Sequence, residues 1–125
     1  MTTWTQNELS RIEHADELEI APLDSTDTPR RPTTIWVVRE GDDLHVRAGN
    51  GRDGVWFRAA MDRHAGHIRS GGVDKDVTFV EETDPALNDR IDAAYHSKYG
   101  GYSDTYVLPM VAETARAATL KLVPR

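Results

Sequence analysis

The stretch "GNGRDG", Gly49–Gly54, has the residue types and spacing of an anion-binding turn. It matches the pattern G-x-G-x-x-G and precedes "VWFRAAMDR", which has the composition of a short helix. A glycine-rich turn at a helix N-terminus presents backbone N–H groups and the positive end of the helix dipole, where phosphates and carboxylates bind. Arg47, Asn50 and Arg52 could add side-chain donors, and the guanidinium fork suits phosphate oxygens. The alternative is a turn that only requires the conformational freedom of glycine.

A dinucleotide-binding function is disfavoured by the strand that precedes this turn. The first strand of a Rossmann unit is buried on both faces and reads as a continuous apolar run. Here "LHVRA" carries His45 and Arg47 at alternate positions, and it is the return arm of a predicted hairpin. We therefore retain the anion-binding turn and reject the Rossmann fold.

A second set of candidate residues lies in the tyrosine-rich segment "YHSKYGGYSDTY" at residues 95–106. If the end of the long helix in this region borders a cleft, then His96, Tyr99 or Tyr102 could donate a proton to a reduced substrate. The alternative interpretation places Tyr95 and Tyr99 in the core, because they fall on the apolar stripe of that helix.

A metal site is not predicted. His64 and His67, close to Asp62, are a pair whose spacing could serve a metal, but the chain has no cysteine. No second group of closely spaced histidines or carboxylates accompanies the pair. A solvated helix C-terminus with a favourable dipole interaction explains these histidines. The chain also lacks H-E-x-x-H and G-x-S-x-G, the local signatures of zinc peptidases and α/β-hydrolases.

Composition limits the partners that these residues can serve. The chain has 125 residues, 38% of them hydrophobic, which is enough for one domain, predicted to span residues 1–125. The net charge of −6 repels a nucleic-acid backbone, so we expect no nucleic-acid binding. The chain has neither a run of roughly 18 apolar residues nor a signal-peptide pattern, so we expect a cytoplasmic protein without membrane contact. The absence of cysteine fits a reducing compartment.

Positive charge is nevertheless concentrated in one part of the chain. Seven of the fifteen Lys and Arg residues lie between positions 30 and 63: Arg30, Arg31, Arg39, Arg47, Arg52, Arg58 and Arg63. This concentration could hold a small anion, or the side chains could be solvated faces of strands and helices.

Three helices are predicted from capping residues and periodicity. A capping box in "TQNE" begins the first helix, which continues through "LSRIEHA". The second helix covers residues 54–63, with Asp53 as its N-cap. The third begins at Asp84–Pro85 and ends at Gly100. Residues 100–118 favour no single state.

The predicted strands arrive mainly as hairpins. A strand with Leu18 and Ile20 on one face precedes a loop at residues 24–32. "TTIWVVREGDDLHVRAG" predicts one hairpin, turning at Gly41–Asp43, and "GHIRSGGVDKDVTFVEE" predicts a second, turning at Ser70–Gly72. "ATLKLV" predicts a final edge strand. Hairpins with helices inserted between them favour an α+β fold with an antiparallel sheet or a small barrel.

The segment "RRPTTIWVVREGDDLHVRAGNGRDGVWFRAAMDRHAGHIRSGG" resembles the central part of the FMN-binding split-barrel proteins, which include pyridoxamine-phosphate-oxidase-like and deazaflavin-dependent nitroreductase-like proteins. The likeness covers residues 18–80 and lies in a Pro-Thr loop, a hairpin with Trp and Arg, a Gly/Arg turn and a Trp-containing helix. The whole chain also resembles an uncharacterised bacterial family of similar length. The resemblance implies a small antiparallel split β-barrel with flanking helices, which forms a homodimer.

In the superfamily that the chain resembles, a flavin or deazaflavin lies in a groove at the dimer interface. The resemblance implies that its phosphate is held by the strand and turn after the first hairpin: Arg47, Asn50, Gly51 and Arg52. It implies that the ring is flanked by the start of the first hairpin strand: Thr33, Thr34, Ile35 and Trp36. The chain lacks both the Gly-Arg-x-Ser-Gly segment of the deazaflavin branch and the phosphate-turn lysine of the oxidase branch. The cofactor therefore stays open between FMN and a deazaflavin coenzyme.

Three functions are compatible with these observations. The resemblance implies a flavin- or deazaflavin-binding oxidoreductase, in which the cofactor transfers a hydride to a small organic acceptor. The second is a cofactor-free protein that binds a small ligand in the same groove. The third is a cofactor-independent isomerase or cyclase that uses the Tyr/His segment at residues 95–106.

Overall fold

The computed structural model describes residues 3–125, which form one antiparallel sheet with helices packed around it. Its α-helices are α1 (Gln6–Glu13), α2 (Val55–Arg63), α3 (Pro85–Tyr99), α4 (Asp104–Val111) and α5 (Glu113–Arg116). Its strands are β1 (Leu18–Pro22), β2 (Thr33–Ile35), β3 (Val38–Glu40), β4 (Asp43–Arg47), β5 (Ala65–Ser70), β6 (Val73–Glu81) and β7 (Thr119–Pro124). None of the helices within residues 3–125 has the length and apolar character needed to cross a bilayer.

The sheet must curl, because its two edges are joined by a very short link. The strand order is β2-β1-β5-β6-β7-β4-β3, with every neighbouring pair antiparallel. Strands β2 and β3 are therefore opposite edges, yet only Trp36 and Val37 separate them. Three Cα–Cα steps span at most about 11 Å, so the two edges come together at this point. The result confirms the predicted α+β class and a small barrel that stays open between β2 and β3, which we call the split.

Strand β4 is covered on both of its faces. Leu44 and Val46 point into the apolar core of the barrel, whereas His45 and Arg47 point outward, as the alternation predicted. The outward side chains are also fully buried, since α3 packs against this side of the sheet and Asn88 on α3 bonds to Arg47. Strand β4 is thus buried from Leu44 to Arg47, and α3 supplies hydrogen-bond partners for Arg47.

The helix-start signals are confirmed at two of the three predicted helices. The capping box that begins α1 is present, with the Thr5 side chain accepting a bond from the helix backbone. Asp84 caps α3 in the same way. The prediction for α2 was wrong by one residue, because Gly54 is the N-cap and Asp53 belongs to a preceding 3-10 turn. That turn already reverses the chain, so the helix begins only after it.

Two strand predictions were also wrong. The first arm of the hairpin, "TTIWVV", is not one strand but the two edge strands β2 and β3, because Trp36 and Val37 cross the split. The last strand, β7, is not an edge strand, since it pairs with β6 on one side and β4 on the other. Alternation of side chains specifies which face is buried, but it does not specify which strands are neighbours.

Candidate functional site

A cleft of about 300 Å³ lies at the mouth of the split, and we call it the split cleft. One wall comes from β2, the opposite wall from the glycine-rich turn after β4, and the floor from the start of α2. The lining residues are Thr33, Ala48, Gly49, Asn50, Gly54, Val55 and Trp56. The structure thus brings together the predicted ring-flanking Thr33 and the predicted phosphate-turn residue Asn50.

The N-terminus of α2 opens onto this cleft without a side-chain cap. Its N-cap, Gly54, is extended, and no side chain bonds to the first turn. The first N–H groups of a helix have no partners within the helix, and they carry its positive dipole end. Val55, the first helical residue, is 74% exposed. Gly54, Val55 and Trp56, at the start of this helix, line the split cleft, so its uncapped end borders the cleft.

Two further clefts continue from the split cleft along α2. One of about 420 Å³ is lined by Pro22, Asp24, Arg30, Arg31, Pro32, Thr33, Val55 and Trp56. The other, of about 620 Å³, is lined by Arg30, Arg52, Val55, Phe57, Arg58, Ala59, Met61 and Asp62. Because the exposed Val55 borders all three, we treat them as one open depression and call it the α2 groove.

The α2 groove carries arginines without ion-pair partners. Within residues 3–125, Arg30, Arg31 and Arg58 form no salt bridge, although all three line the groove. Asp24 and Asp62 are the acids of the lining. Three arginines against two carboxylates leave the groove positive, in a chain whose net charge is −6. Such local positive charge attracts an anion that the molecule as a whole would repel.

Arg52 lies at the edge of the α2 groove and is held in place by protein contacts. Its Nη1 donates to Glu81 Oε1 at 2.5 Å and to the carbonyl oxygen of Ala117 at 2.9 Å. Its guanidinium carbon lies 5.3 Å from the ring centre of Phe57. One terminal nitrogen is thus committed to Glu81, and the side chain remains about half exposed beside the groove.

Arg47 lies beneath the glycine-rich turn rather than in the cleft. It is 1% exposed, and its guanidinium makes five hydrogen bonds, to Thr119, Asp92, the Met110 carbonyl and both oxygens of Asn88. The bond from Nη1 to Asp92 Oδ1 measures 2.5 Å. A guanidinium has five N–H donors, so these contacts use all of them. In this structure Arg47 joins β4 to α3, α4 and β7.

Gly51 is buried, and it requires glycine for reasons of shape. Its φ is +73°, and a Cβ there would lie 2.5 Å from Thr114 Cγ2 and 3.2 Å from the Thr114 carbonyl oxygen. The turn therefore packs directly on α5 at this residue. Gly49, in contrast, is exposed and lines the split cleft. The same glycine pattern thus serves close packing on one side and cleft formation on the other.

Trp36 links the split to an aromatic cluster that contains two of the predicted catalytic residues. Its ring stacks on Tyr99 with 3.9 Å between centroids and 2° between planes, and Tyr102 lies 5.5 Å away. Thr34 is exposed, and Ile35 is half-buried at the end of β2. The structure therefore brings Trp36, Tyr99 and Tyr102 together.

The predicted catalytic residues differ in their surroundings. The Tyr99 hydroxyl is buried, donates to the carbonyl oxygen of Asp16 at 2.8 Å and accepts from the backbone N–H of Val37 at 3.2 Å. Burial raises the pKa of Tyr99 above its ordinary value. Tyr102 is 47% exposed, so its hydroxyl can meet a ligand. His96 is exposed on α3, and it makes no side-chain hydrogen bond with another described residue.

Part of the α2 groove could not be identified from the sequence. Arg30, Arg31 and Arg58 belong to the concentration of arginines that the sequence shows, but nothing distinguished them there from Arg39 or Arg63. In the structure Arg39 bonds to Glu13 and Arg63 forms an ion pair on the loop after β1. Arg30, Arg31 and Arg58 thus differ from the other two by having no ion-pair partner within residues 3–125, and only the folded chain shows this difference.

No metal centre is found in the part of the chain that the structure describes, since residues 3–125 contain no group of three or more His, Asp or Glu side chains arranged to hold an ion. His64 has a left-handed backbone, φ 55°, and ends α2. His67 lies in β5 between two carboxylates, with Nδ1 2.8 Å from Asp76 Oδ1 and Nε2 in contact with Asp74. Bonding to Asp76, and secondly to Asp74, raises the pKa of His67.

Comparison with protein families gives one match that covers most of the chain. The family described as an uncharacterised protein conserved in bacteria, DUF2255, matches residues 8–122. The chain belongs to this family. A comparison with curated proteins finds no match.

Solved structures with the same fold come from proteins of several kinds. The haem storage protein HutZ from Vibrio cholerae has a TM-score of 0.67 at 13% identity, over 93% of this chain and 86% of that one. A protein proposed to be a pyridoxamine 5'-phosphate oxidase from Listeria innocua has a TM-score of 0.64 at 12% identity, over 94% and 90%. An F420 reductase has a TM-score of 0.57 at 15% identity, over 98% and 94%. At these identities the likeness is one of fold, and the DUF2255 chain is a split barrel.

Proposed function

We propose that this DUF2255 protein binds a flavin or deazaflavin cofactor in the α2 groove. One observation carries the proposal: three adjoining clefts meet at an uncapped helix N-terminus and are lined by arginines without ion-pair partners. Both cofactor types combine a planar ring with an anionic phosphate-bearing chain. The groove offers positive charge and N–H donors for that chain.

The phosphate is proposed to lie in the split cleft at the start of α2. The uncapped N–H groups of α2 point there, and the Asn50 side chain lines the same cleft. The rest of the cofactor's phosphate-bearing chain would then lie along α2, next to Arg30, Arg31 and Arg58. In this proposal Arg47 does not contact the phosphate, because its donors are all used within the protein. It instead holds the turn in position.

The ring is proposed to lie along the free edge of β2. Within the described chain β2 pairs only with β1, so its other edge faces the split. Backbone N–H and C=O groups on a free edge can bond to the heteroatoms of a flavin or deazaflavin ring. Thr33, Thr34 and Ile35 supply this edge, and Trp36 closes it.

A redox reaction is the finer part of the proposal. The cofactor supplies the hydride chemistry, and the chain supplies phosphate binding, ring orientation and a shaped pocket. A small organic acceptor would take up a proton as well as the hydride. We assign this role to Tyr102 among the three candidates, because the residue is about half exposed and its ring lies 5.5 Å from that of Trp36. Tyr99 orients Trp36 by stacking, and its hydroxyl is engaged with the backbone.

The fold comparisons support cofactor binding without selecting the cofactor. An F420 reductase and a haem storage protein share the split barrel. Among these cofactor classes, the positive groove favours one with an anionic chain. A cofactor-independent isomerase is less well supported, since the Tyr99 hydroxyl is already bonded to the backbone at Asp16 and Val37.

Homodimer formation and a cytoplasmic location stay predictions. The α2 groove is open, and a second copy could cover the exposed Val55 that borders it. Sedimentation velocity of the protein with and without FMN tests the first prediction. A monomer under both conditions would contradict it, and the groove would then bind its ligand from one chain alone.

The cofactor proposal is tested by titration of the full chain with FMN and separately with coenzyme F420, following tryptophan emission. Trp56 lines the groove and Trp36 lies at the split, so a bound ring should quench them. We expect saturable binding of one cofactor, weakened about tenfold by Arg58→Gln, because one charge-assisted contact is lost. Arg90→Gln is the matched control, since Arg90 pairs with Glu40 and lines no part of the groove.

Two outcomes would contradict the cofactor proposal. The first is that neither FMN nor coenzyme F420 quenches the emission saturably. The second is that Arg58→Gln and Arg90→Gln bind the cofactor equally well. A cofactor-free ligand-binding protein would then be the better description of the groove.

A further inference from the structure

A further cleft of about 310 Å³ lies on the outer face of β1 and β5, and we call it the side cleft. It adjoins the α2 groove, with which it shares Arg30 and Pro32. It is lined by Glu19, Ala21, Pro29, Arg30, Pro32, His67 and Arg69. The floor is formed by residues of the two strands, and the wall by the prolines of the loop that leads into β2. A volume of this size is at the lower end of small-molecule sites.

Two guanidinium groups in the side cleft have terminal nitrogens without partners. Within residues 3–125, the Arg30 side chain makes no hydrogen bond, and Arg69 uses only Nε, which donates to Asp74 Oδ2 at 3.2 Å. Both terminal nitrogens of Arg69 therefore remain as donors. A guanidinium presents these donors as a planar fork that matches the two oxygens of a carboxylate.

Cross-strand pairs hold the floor of the side cleft in position. Arg69 lies directly opposite Asp74, and His67 lies directly opposite Asp76. His67 also contacts Asp74, so both ring nitrogens are engaged with carboxylates. Arg69 is thus oriented by Asp74 through Nε before any ligand arrives. An oriented donor loses less side-chain freedom on binding than a mobile one does.

The charges of the side cleft favour a ligand with a single negative charge. Arg30 and Arg69 offer two positive groups, but Glu19 lines the same cleft and lies directly opposite Arg69 in the sheet. Asp74 and Asp76, on the neighbouring strand β6, further reduce the positive potential of the side cleft. A dianion would meet this repulsion with both of its charges. A single carboxylate brings only one charge near Glu19 while it accepts bonds from the two arginines.

The remaining lining is apolar. Ala21, Pro29 and Pro32 contribute it, next to the two arginines. Apolar ligand surface gains free energy when it leaves water for such a wall. We propose that the side cleft binds the carboxylate end of a small, largely apolar organic molecule. The proposal concerns binding. The side cleft shares Arg30 with the α2 groove, but Arg69 lines only the side cleft, so variants of Arg69 test this proposal apart from the cofactor.

Benzoate is a suitable probe, and benzamide, which has nearly the same shape but no charge, is its control. We would titrate the full ¹⁵N-labelled chain with each and follow the backbone amide shifts of Ala21 and Arg69. Benzoate should cause saturable shifts at both residues, and benzamide should bind about tenfold more weakly or not at all. Arg69→Gln should weaken benzoate binding about tenfold. Arg69→Lys keeps the charge but loses the planar pair of donors. It should therefore bind benzoate more tightly than Arg69→Gln and more weakly than the unmodified chain.

Matched variants separate this proposal from the proposed cofactor site. Arg58→Gln and Arg90→Gln should bind benzoate as the unmodified chain does, because neither residue lines the side cleft. Arg69→Gln should bind FMN or coenzyme F420 normally. Absence of saturable benzoate shifts would overturn the side-cleft proposal. Equal binding of benzamide, or unchanged benzoate binding in a folded Arg69→Gln protein, would overturn it as well.

Discussion

At the scale of single residues, the buried charge of Arg47 organises the surroundings of the candidate site. Its partners lie on β7, α3 and α4, and Asp92 also bonds to Arg116 on α5. A buried charge is tolerated only when hydrogen bonds and a counter-charge replace the water that it lost. Arg47 therefore depends on the correct placement of several elements, and each of them depends on Arg47.

Replacement of this arginine tests that role. Arg47→Met should lower the free energy of unfolding by about 3 kcal/mol, because Asn88 and Thr119 lose their partner and Asp92 keeps only Arg116. Arg52→Met is the matched control at an exposed pair with Glu81, and it should cost less than about 1 kcal/mol. Urea unfolding measures both. Equal losses for the two variants would show that burial of the Arg47 network contributes little.

His45 is the second residue with a measurable consequence. It is fully buried, neither ring nitrogen has a hydrogen-bond partner among the described residues, and Glu82 Oε1 lies 3.6 Å from Nε2. Burial lowers the pKa of His45, and the carboxylates of Glu82 and Asp43 only partly offset that effect. The folded chain therefore holds His45 neutral at a pH at which an unfolded chain would protonate it.

Stability should accordingly decrease in mild acid. Below the ordinary histidine pKa of 6.5 the unfolded chain binds the proton more readily than the folded chain, so the free energy of unfolding falls as pH drops. His45→Leu should reduce this dependence, because the buried imidazole is gone. Urea unfolding of both proteins at neutral and mildly acidic pH measures the difference. His67, whose pKa is raised, contributes in the opposite sense, but it is present in both proteins. Identical pH profiles would rule out a lowered pKa at His45.

At the scale of elements, the glycine-rich turn is positioned from two sides. Arg47 anchors the strand before it, and Gly51 packs on Thr114 of α5. The turn then delivers the chain to α2 with the first N–H groups uncapped. This turn and α2 form two sides of the split cleft. Loss of the Arg47 hydrogen bonds, or of the packing of Gly51 on Thr114, would therefore move the proposed phosphate site.

A comparison of two glycines isolates the contact with α5. Gly51→Ala should cost about 3 kcal/mol, because the residue has a φ of +73° and a methyl group would overlap Thr114. Gly41→Ala should cost only about 1 kcal/mol, since Gly41 has a similar φ of +62° but open space around it. Thermal and urea unfolding give both values. Equal costs would mean that α5 yields readily and does not support the turn.

At the scale of the whole molecule, the split barrel depends on local signals that the sequence shows and on two features that it does not show. The capping residues of α1 and α3 and the Gly71–Gly72 turn are local, so the sequence predicts them. The position of β7 between β6 and β4 depends on how the chain returns after α3, and alternation carries no such information. The crossing at Trp36 and Val37 likewise has the sequence of a continuous strand. Only the fold shows that β2 and β3, on its two sides, are opposite edges of the sheet.

The candidate site shows the same limit. The "GNGRDG" turn and the concentration of arginines are visible in the sequence. The turn and four of the seven arginines, Arg30, Arg31, Arg52 and Arg58, lie at the α2 groove. The sequence did not separate Arg47, whose donors are all used inside the protein, from Arg58, which has no ion pair among residues 3–125. Whether a charge is satisfied depends on contacts between distant segments, so only the folded chain can reveal it.

The central claim is that the α2 groove binds the phosphate of a flavin-type cofactor. The most direct measurement compares the affinity of FMN with that of riboflavin, and the affinity of coenzyme F420 with that of its phosphate-free chromophore, in the same titration. We expect the phosphate-bearing member of one pair to bind at least about tenfold more tightly, a difference of about 1.4 kcal/mol. That difference should shrink in Arg30→Gln/Arg58→Gln. Equal affinities within both pairs, or no binding at all, would contradict the account.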